Sequence, residues 1–337
     1  MIRDSGSLYA VTASIRGTAH RGRDVENQDR VLTVGRAGVV LICLADGLGS
    51  AASAGTAAQV AVNEAMAVLI SFLPSPGLYS SVDNGTNRQS RGIVVPTRRW
   101  AVPDPSWRRI VVTAVLRARV AVLRTAREYG AAVRDFGTTL SVVAVTKDGV
   151  HAAQVGDGFV VIWPAEHPAD AVVLGKADPL EVDPSRTATL TSVTRLADVE
   201  LDSVAFSRDS RLLVSTDGLA PIVFRSWLPR EPGPRILGAI TREMDAGRMS
   251  PSEVRAWLDS DAVIRRTDDD KSIALVGRGF RSRRRHGSSG AQQLTGRPIM
   301  SARETLVSRE DEQRSRLILG RSPAVASRAL CGTRGEP

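Results

Sequence analysis

Acidic residues recur beside short apolar segments of this 337-residue chain, and they are its clearest candidates for chemistry. Asp46 follows the run VVLICLA, Asp157 follows HAAQVG, and Asp217 follows RLLVST. Asp29 precedes VLTV, and Asp269 precedes SIALV. Strand ends are rigid, so these side chains can point into one shared cleft. Carboxylates gathered there would repel one another and take up protons unless a cation neutralised them.

The chain has only four histidines and two cysteines, so its candidate metal ligands are mainly oxygen atoms. Oxygen ligands favour Mg²⁺ or Mn²⁺ over Zn²⁺. Two such ions about 4 Å apart are a common device for the attack of water on phosphorus. A single Asp-Gly pair is more often a hairpin turn, and Asp148-Gly149 is best interpreted in that way. It is the joint pattern of acids beside apolar strands that indicates metal-dependent phosphoryl chemistry.

Two long helices and a series of short strands must position these acids. Residues 53–70 are rich in alanine and predict one helix, and residues 107–129 place apolar side chains on one face and arginines on the other. Residues 138–163 predict a β-meander of three strands. Further strands are predicted at 211–216 and 272–276, and shorter helices at 235–246 and 251–260. Hairpins without regular βαβ alternation favour antiparallel sheets covered by helices.

The charge distribution divides the chain into a domain, residues 1–280, and a basic tail, residues 281–337. The tail holds twelve arginines, no lysine and five acidic residues, so it accounts for most of the net charge of +9. Its low apolar content predicts disorder. No aromatic residues are interleaved with the arginines, and we do not expect nucleic-acid binding. Within the domain, the proline-rich residues 73–106 predict a long loop.

No membrane association or export is expected from the sequence. The longest clean apolar run, residues 37–45, is too short to cross a bilayer. The first ten residues lack the order of basic and then apolar residues that is typical of a secretory signal. We therefore expect a cytoplasmic enzyme.

Six segments in order resemble the metal-dependent type 2C serine/threonine protein phosphatases. They are GTAHRGRDVENQDR, LADGLGSAASAG, FGTTLSVVAV, QVGDGFVVIW, LLVSTDGL and DDDKSIALV. The His and the Asn-Gln-Asp of the first segment are most similar to the bacterial branch. The resemblance covers roughly residues 10 to 278. It implies an α+β fold, an αββα sandwich in which helix pairs flank two antiparallel sheets, with residues 165–210 as a flap-like region.

The resemblance also implies an activity and its partners. The reaction would be hydrolysis of phosphoserine and phosphothreonine in proteins, by a water activated between two Mg²⁺ or Mn²⁺ ions. Phosphoproteins would be the substrates, and a bacterial Ser/Thr kinase would oppose the enzyme. The metal ligands implied are Asp46, the Gly47 carbonyl, Asp217 and Asp269. Asp29 would hold metal waters, Gln28 beside it could orient them, and Asp157 matches an acid that helps to hold a third, weaker ion.

The first and second segments depart from the family pattern. Gln28 stands where the family has Glu, which removes a negative charge. The arginine that grips the substrate phosphate would fall at Asp24, leaving Arg21 and Arg23 as candidates. A histidine proposed to protonate the leaving oxygen is replaced by Leu48, with His20 the candidate substitute in catalysis beside Asp46.

The acid that normally follows the Asp217-Gly218 motif is Pro221 here, which makes a third metal ion doubtful. Two rival interpretations stay open. The departures at Asp24, Gln28 and Leu48 favour a catalytically weak or inactive phosphatase fold that binds phosphoproteins or regulates a kinase pathway. The segment GLGSAA after residue 46 imitates a dinucleotide-binding loop, although Asp46 would repel a pyrophosphate.

Overall fold

The computed structural model describes residues 8–36, 38–73, 93–95, 107–175, 187–227 and 229–278. Its strands are β1 (Leu8–Ile15), β2 (Arg30–Arg36), β3 (Val39–Ala45), β4 (Ile93–Val95), β5 (Leu140–Val145), β6 (Gly149–Val155), β7 (Phe159–Pro164), β8 (Val172–Leu174), β9 (Glu200–Ala205), β10 (Ser210–Ser215), β11 (Phe224–Ser226), β12 (Glu231–Pro232) and β13 (Lys271–Arg278). Its α-helices are α1 (Thr18–Gly22), α2 (Ala54–Ser71), α3 (Trp107–Glu128), α4 (Ala220–Val223), α5 (Pro234–Asp245), α6 (Pro251–Leu258) and α7 (Asp261–Ile264). Short 3₁₀ helices lie at Val133–Phe136, Pro168–Asp170, Leu190–Ser192, Leu196–Asp198 and Asp217–Leu219.

Two large sheets form the centre of the fold. The first has the strand order β4-β1-β13-β10-β7-β8, and the second has the order β2-β3-β5-β6-β9. Neighbouring strands in both sheets are antiparallel. The expected α+β architecture with two antiparallel sheets is confirmed.

The strand β3 shows how the sequence pattern builds the layers. All seven of its residues are buried, as the continuous apolar run predicts for a strand that is covered on both faces. Val40, Ile42 and Leu44 pack into the core between the two sheets. Leu41 and Cys43 face the opposite way and pack under α2 and α3. Since successive side chains of a strand alternate in direction, one segment contributes to two cores.

Helices cover the outer face of each sheet. The predicted helices at 53–70 and 107–129 form α2 and α3, which pack against each other and against the five-stranded sheet. On the other side, the indole N–H of Trp163 in β7 donates to Thr241 Oγ1 in α5 at 2.8 Å, and α6 packs against β1. The layers are therefore helix, sheet, sheet and helix, as the resemblance implied.

The predicted meander over residues 138–163 is wrong in one respect. The strand β6 pairs with β5 and β9 in the five-stranded sheet, whereas β7 pairs with β8 and β10 in the six-stranded sheet. The chain thus crosses from one sheet to the other at Gly156-Asp157-Gly158. A local turn motif cannot distinguish a hairpin from such a crossing, because the turn residues are the same.

The predicted loop and the flap-like region both contain strands. The strand β4 lies within the predicted loop 73–106 and pairs with β1, and β8 and β9 lie within the flap-like region 165–210. Residues 74–92, 96–106, 176–186 and the predicted tail 281–337 lie outside the described part of the chain. Among the helices that the structure describes, none is both long enough and apolar enough to span a bilayer.

Candidate metal centre

Asp46 leaves the end of β3 with its backbone fixed by two threonines. Its N–H donates to Thr139 Oγ1 at 2.9 Å, and its carbonyl accepts the Thr139 N–H and the Thr138 hydroxyl, each at 2.8 Å. A Cβ on Gly47 would lie 2.9 Å from the Ala54 Cβ, so the chain passes closely under the start of α2. The Thr-Thr pair at the start of β5 therefore holds the first acid of the cavity in place.

Asp217 and Asp269 are brought together where β10 and β13 are neighbours in the sheet. Asp217 begins the 3₁₀ helix that follows β10, and Asp269 lies two residues before β13. A Cβ on Gly218 would stand 1.9 Å from the Asp270 carbonyl oxygen, which is closer than atoms can approach. Only glycine lets the two acidic segments pass at this distance.

The three acids of Asp268-Asp269-Asp270 have separate tasks. The Asp268 carbonyl accepts the Ala19 N–H of α1 at 2.9 Å. Asp270 is buried, and its carboxylate accepts the N–H groups of Gly17 at 2.7 Å and Gln28 at 2.6 Å. Asp269 is the member of the triplet that lines the central cavity. Asp269 therefore stays the predicted metal ligand among the three acids.

These segments enclose a cavity of about 270 Å³. Its lining residues are His20, Arg23, Asp46, Gly47, Leu48, Gly49, Thr139, Asp157, Thr187, Asp217 and Asp269. Carboxylate oxygens of Asp46, Asp157 and Asp217 all lie within 4.8 Å of one another. The structure therefore brings Asp46, Asp157, Asp217 and Asp269 to one cavity, although they are far apart in sequence.

Asp29 lies behind the cavity and contacts its acids. Its side chain is almost fully buried, one oxygen accepts the Thr216 hydroxyl at 2.9 Å, and the carboxyl also interacts with Asp46. Gln28 is adjacent, and its side-chain oxygen is buried without a hydrogen-bond partner among the described residues. The first segment thus contributes a buried acid that interacts with Asp46 and, next to it in sequence, a buried amide oxygen.

Burial of several carboxylates together changes their protonation. Desolvation, followed by the charges of Asp29 and Asp217, raises the pKa of Asp46 well above its usual range. Desolvation raises the pKa of Asp29 to about 7, and desolvation with repulsion from Asp157 and Asp269 raises that of Asp217 to about 7. Burial also raises the pKa of Asp269. Without a counter-charge, these groups are costly to ionise at neutral pH.

The donor set fits divalent cations. Asp29, Asp157 and Asp217 each have one buried carboxylate oxygen with no hydrogen-bond partner in the described part of the chain. Such oxygens lose free energy on burial unless a cation or a proton satisfies them. Carboxylates and backbone carbonyls are the ligands that Mg²⁺ and Mn²⁺ prefer.

Comparison with known proteins decides the family. The sequence profile described as Protein phosphatase 2C matches residues 16–259, which is most of the described chain. This chain belongs to the protein phosphatase 2C family. The family comprises serine/threonine protein phosphatases that use divalent metal ions, as the six segments implied.

Named relatives agree with the assignment. The chain is 27% identical over 286 residues to Serine/threonine-protein phosphatase 3 of Escherichia coli K12, covering 80% of this chain and 98% of that protein. Its fold is similar to the catalytic domain of the serine/threonine phosphatase PstP in complex with two manganese ions, with 17% identity, a TM-score of 0.50, and coverage of 81% and 98% of the two chains. It is also similar to Mycobacterium tuberculosis PstP/Ppp, with 18% identity, a TM-score of 0.52, and coverage of 80% and 98%.

His20 of this protein phosphatase 2C chain lies in the middle of α1 and is buried at the cavity wall. Its Nδ1 lies 2.9 Å from Asp270 Oδ2, although the contact lacks the angle of a hydrogen bond. Leu48, at the position where the resemblance expects a histidine, also lines the cavity. A histidine thus reaches the cavity from the first segment of the chain.

The two arginine candidates for phosphate binding differ in position. Arg23 lines the cavity, and its Nε donates to the Ala19 carbonyl at 3.2 Å. Arg21 does not line the cavity and pairs with Asp259 at 2.6 Å. Asp24 has a positive φ of 53°, a backbone conformation that is uncommon for residues other than glycine.

Sequence reasoning missed three residues that contact the candidate site of this phosphatase. Thr187 lines the cavity and donates its hydroxyl to Asp157 at 2.7 Å. Asp270 clamps the first segment, and the Nη2 of Arg230 contacts the Asp157 carbonyl at 3.4 Å. The acidic triplet pointed to Asp270, but no motif marked Thr187 or Arg230, which lie in segments without periodicity.

Proposed function

We propose that this cavity hydrolyses phosphoserine and phosphothreonine in phosphoproteins with the help of two Mg²⁺ or Mn²⁺ ions. The observation that supports this most directly is the group of buried acids with raised pKa values around one cavity. Burying several carboxylates together costs desolvation free energy, and the binding of cations to the ionised carboxylates offsets that cost. The family assignment supplies the reaction class.

The residues proposed to hold the ions are Asp46, the Gly47 carbonyl, Asp217 and Asp269. Asp29, which interacts with Asp46, and the neighbouring Gln28 are proposed to orient water molecules on the ions. Asp157 extends the acid cluster on the side of Thr187. In the PstP structure, two manganese ions accompany a similar fold, which is consistent with a pair of ions here.

Bound cations would supply positive charge for the phosphoryl oxygens and lower the pKa of water within the cavity. The chain's own residues contribute rigidity, because Asp46 is fixed through its backbone by Thr138 and Thr139. A rigid acid loses little free energy to reorganisation when charge develops during the reaction.

Two side chains at the cavity are proposed to act on the substrate itself. Arg23 carries a permanent positive charge and is proposed to bind the phosphate oxygens. His20 is proposed to pass a proton to the leaving serine or threonine oxygen, with its ring beside the Asp270 carboxylate. Phosphoproteins would be the substrates, and a Ser/Thr kinase would supply them.

The test is hydrolysis of a phosphothreonine peptide and of p-nitrophenyl phosphate by the full chain with Mn²⁺. We expect turnover that EDTA abolishes and that Asp46→Asn lowers by roughly a hundredfold or more. Asp170→Asn is the matched control, because Asp170 is an exposed acid remote from the cavity lining.

The outcome separates an enzyme from a binding module. Wild-type turnover no greater than that of Asp46→Asn at saturating Mn²⁺ would reject the proposal. Retained binding of the phosphopeptide under those conditions would then favour a non-catalytic phosphoprotein-binding fold.

A further inference from the structure

Arg230 lies beside the acid cluster, on the turn between β11 and β12, and is held by aromatic rings. Its guanidinium carbon stands 4.4 Å from the centre of the Trp227 ring. Trp227 packs edge-on against Phe224, with ring centres 5.2 Å apart, and against Phe159, with centres 6.2 Å apart. A planar cation stacked on a supported indole has little freedom to swing away.

The guanidinium faces acids on more than one side. Its Nη2 reaches the Asp157 carbonyl oxygen at 3.4 Å, and the charges of Glu200, Asp157 and Asp217 all act on it. A Cβ on Gly175 would lie 2.7 Å from Glu200 Oε2 and 3.9 Å from Arg230 Nη1, so the two side chains meet beside this glycine. Gly175 has a φ of +99°, a conformation that suits glycine.

Arg230 is close to the acids but does not line the cavity. Its charge therefore acts on the cavity through the field rather than by touching a substrate. Arginine stays protonated at neutral pH even when burial lowers its pKa, so this charge is permanent. A fixed positive charge beside the Asp157 carbonyl opposes the binding of a further cation at that acid.

We propose that Arg230 is a resident counter-cation that weakens divalent-cation binding on the Asp157 side of the cavity. This inference rests on the proposed metal-dependent function of the same site. Arg230 would act by electrostatic repulsion. The ions held by Asp46, Asp217 and Asp269 would remain tightly bound, whereas an additional ion at Asp157 would be weakly bound and would exchange readily.

The sign of the effect follows from like charges. Removing a unit positive charge on the order of 10 Å from a divalent cation, at an effective dielectric constant of about 40, strengthens binding by roughly tenfold. Removing the nearby Glu200 charge acts in the opposite direction. These two substitutions therefore predict changes of opposite sign in one measured quantity.

The experiment is a titration of metal-free full-length protein with Mn²⁺. Binding is measured by calorimetry and, independently, by the electron paramagnetic resonance signal of free Mn²⁺. Arg230→Met keeps a long side chain against Trp227 and should tighten the weakest measurable Mn²⁺ site about tenfold. Arg230→Lys keeps the charge and should stay within about twofold of wild type. Arg225→Met is the control, because Arg225 lies in the same hairpin but is largely exposed and paired with Glu231.

Glu200→Gln provides an independent measurement and should loosen the same site by about threefold. If Arg230→Met does not fold, Arg230→Gln removes the charge while keeping a planar group for the indole. Unchanged or weaker Mn²⁺ binding in the neutral Arg230 variants would overturn the proposal. So would an Arg230→Lys variant whose Mn²⁺ affinity increases as much as that of Arg230→Met.

Failure of the underlying function has a different signature. If Asp46→Asn binds Mn²⁺ as tightly and in the same number as wild type, the metal centre itself is wrong. If Asp46→Asn loses binding while the Arg230 variants match wild type, only the counter-cation role is overturned.

Discussion

Removing the divalent cations should make the protein less stable as the pH rises towards neutrality. Burial raises the pKa values of Asp29 and Asp217 from 3.8 to about 7 in the folded chain. Between those values, the unfolded chain releases protons that the folded chain retains. The unfolded state then binds fewer protons, and the free energy of unfolding falls as the pH increases. Above about pH 7 both states are ionised and the loss is complete.

The size of the effect follows from the same numbers. A carboxyl whose pKa changes from 3.8 to about 7 on folding costs about 4 kcal/mol of stability once it is ionised. Asp29 and Asp217 both interact with Asp46 and share protons with it, so we count this amount once for the cluster. For a domain of this size, a loss of about 4 kcal/mol lowers the melting temperature by roughly 10 °C.

Thermal melting of EDTA-treated protein, followed by circular dichroism at about pH 5 and about pH 8, measures the part of this loss that falls above pH 5, which is about 3 kcal/mol or roughly 8 °C. Saturating Mg²⁺ should remove it, because a bound cation stabilises the ionised acids of the folded state. Asp217→Asn is the control, since it deletes one titrating group and should flatten the dependence in metal-free protein. A metal-free melting temperature that is constant or higher at the upper pH, or a slope that Asp217→Asn leaves unchanged, would refute the reasoning.

Two further predictions concern single residues of the site. Gly218→Ala should lower the free energy of unfolding by about 3 kcal/mol in urea denaturation, because its Cβ would meet the Asp270 carbonyl at 1.9 Å. Gly49→Ala, which has open space around the added atom, should change it by less than about 1 kcal/mol, and equal effects would contradict the packing argument. Arg23→Met should raise the KM for a phosphothreonine peptide about tenfold, because Arg23 lines the cavity. Arg21→Met should raise the KM less, since Arg21 pairs with Asp259 outside the cavity lining. A larger increase in Arg21→Met than in Arg23→Met would assign phosphate binding to Arg21.

The sequence was sufficient for the layers and for the convergence of the acids. Long helices such as α2 and α3 can be predicted from their composition and from the helical spacing of their apolar residues. Buried strands such as β3 can be predicted from their continuous apolar runs. The acids could be placed together because six segments in a fixed order resemble one family. Each Asp-Gly pair alone would have been interpreted as a turn.

Two of the edge strands, β8 and β9, could not be predicted, for a physical reason. The strand β9 has the sequence ELDSVA, in which Leu201 and Val204 are three residues apart and do not alternate with period two. The strand β8 has only three residues, too few to show a period. An edge strand is held by the hydrogen bonds of its single neighbour, and these do not depend on the side-chain pattern.

Contacts between segments that are far apart in the chain could not be predicted from the sequence either. The approach of Arg230 to Asp157 depends on the crossing between sheets at Gly156–Gly158, which looks locally like a hairpin. The clamp by Asp270 on Gly17 and Gln28 depends on the pairing of β1 with β13. Such contacts follow from tertiary structure and leave no local signal.

The pairing of β1 with β13 has a consequence for folding during synthesis. These two strands, which run alongside each other over eight residue pairs, are the first and last described elements of the domain. His20 and Asp269, which enter the cavity from either side of this seam, can meet only after the ribosome has delivered both segments. Topologies closed by such distant segments fold slowly. With the roles proposed for His20 and Asp269, a nascent chain would remain inert towards phosphorylated proteins until the ribosome has synthesised β13.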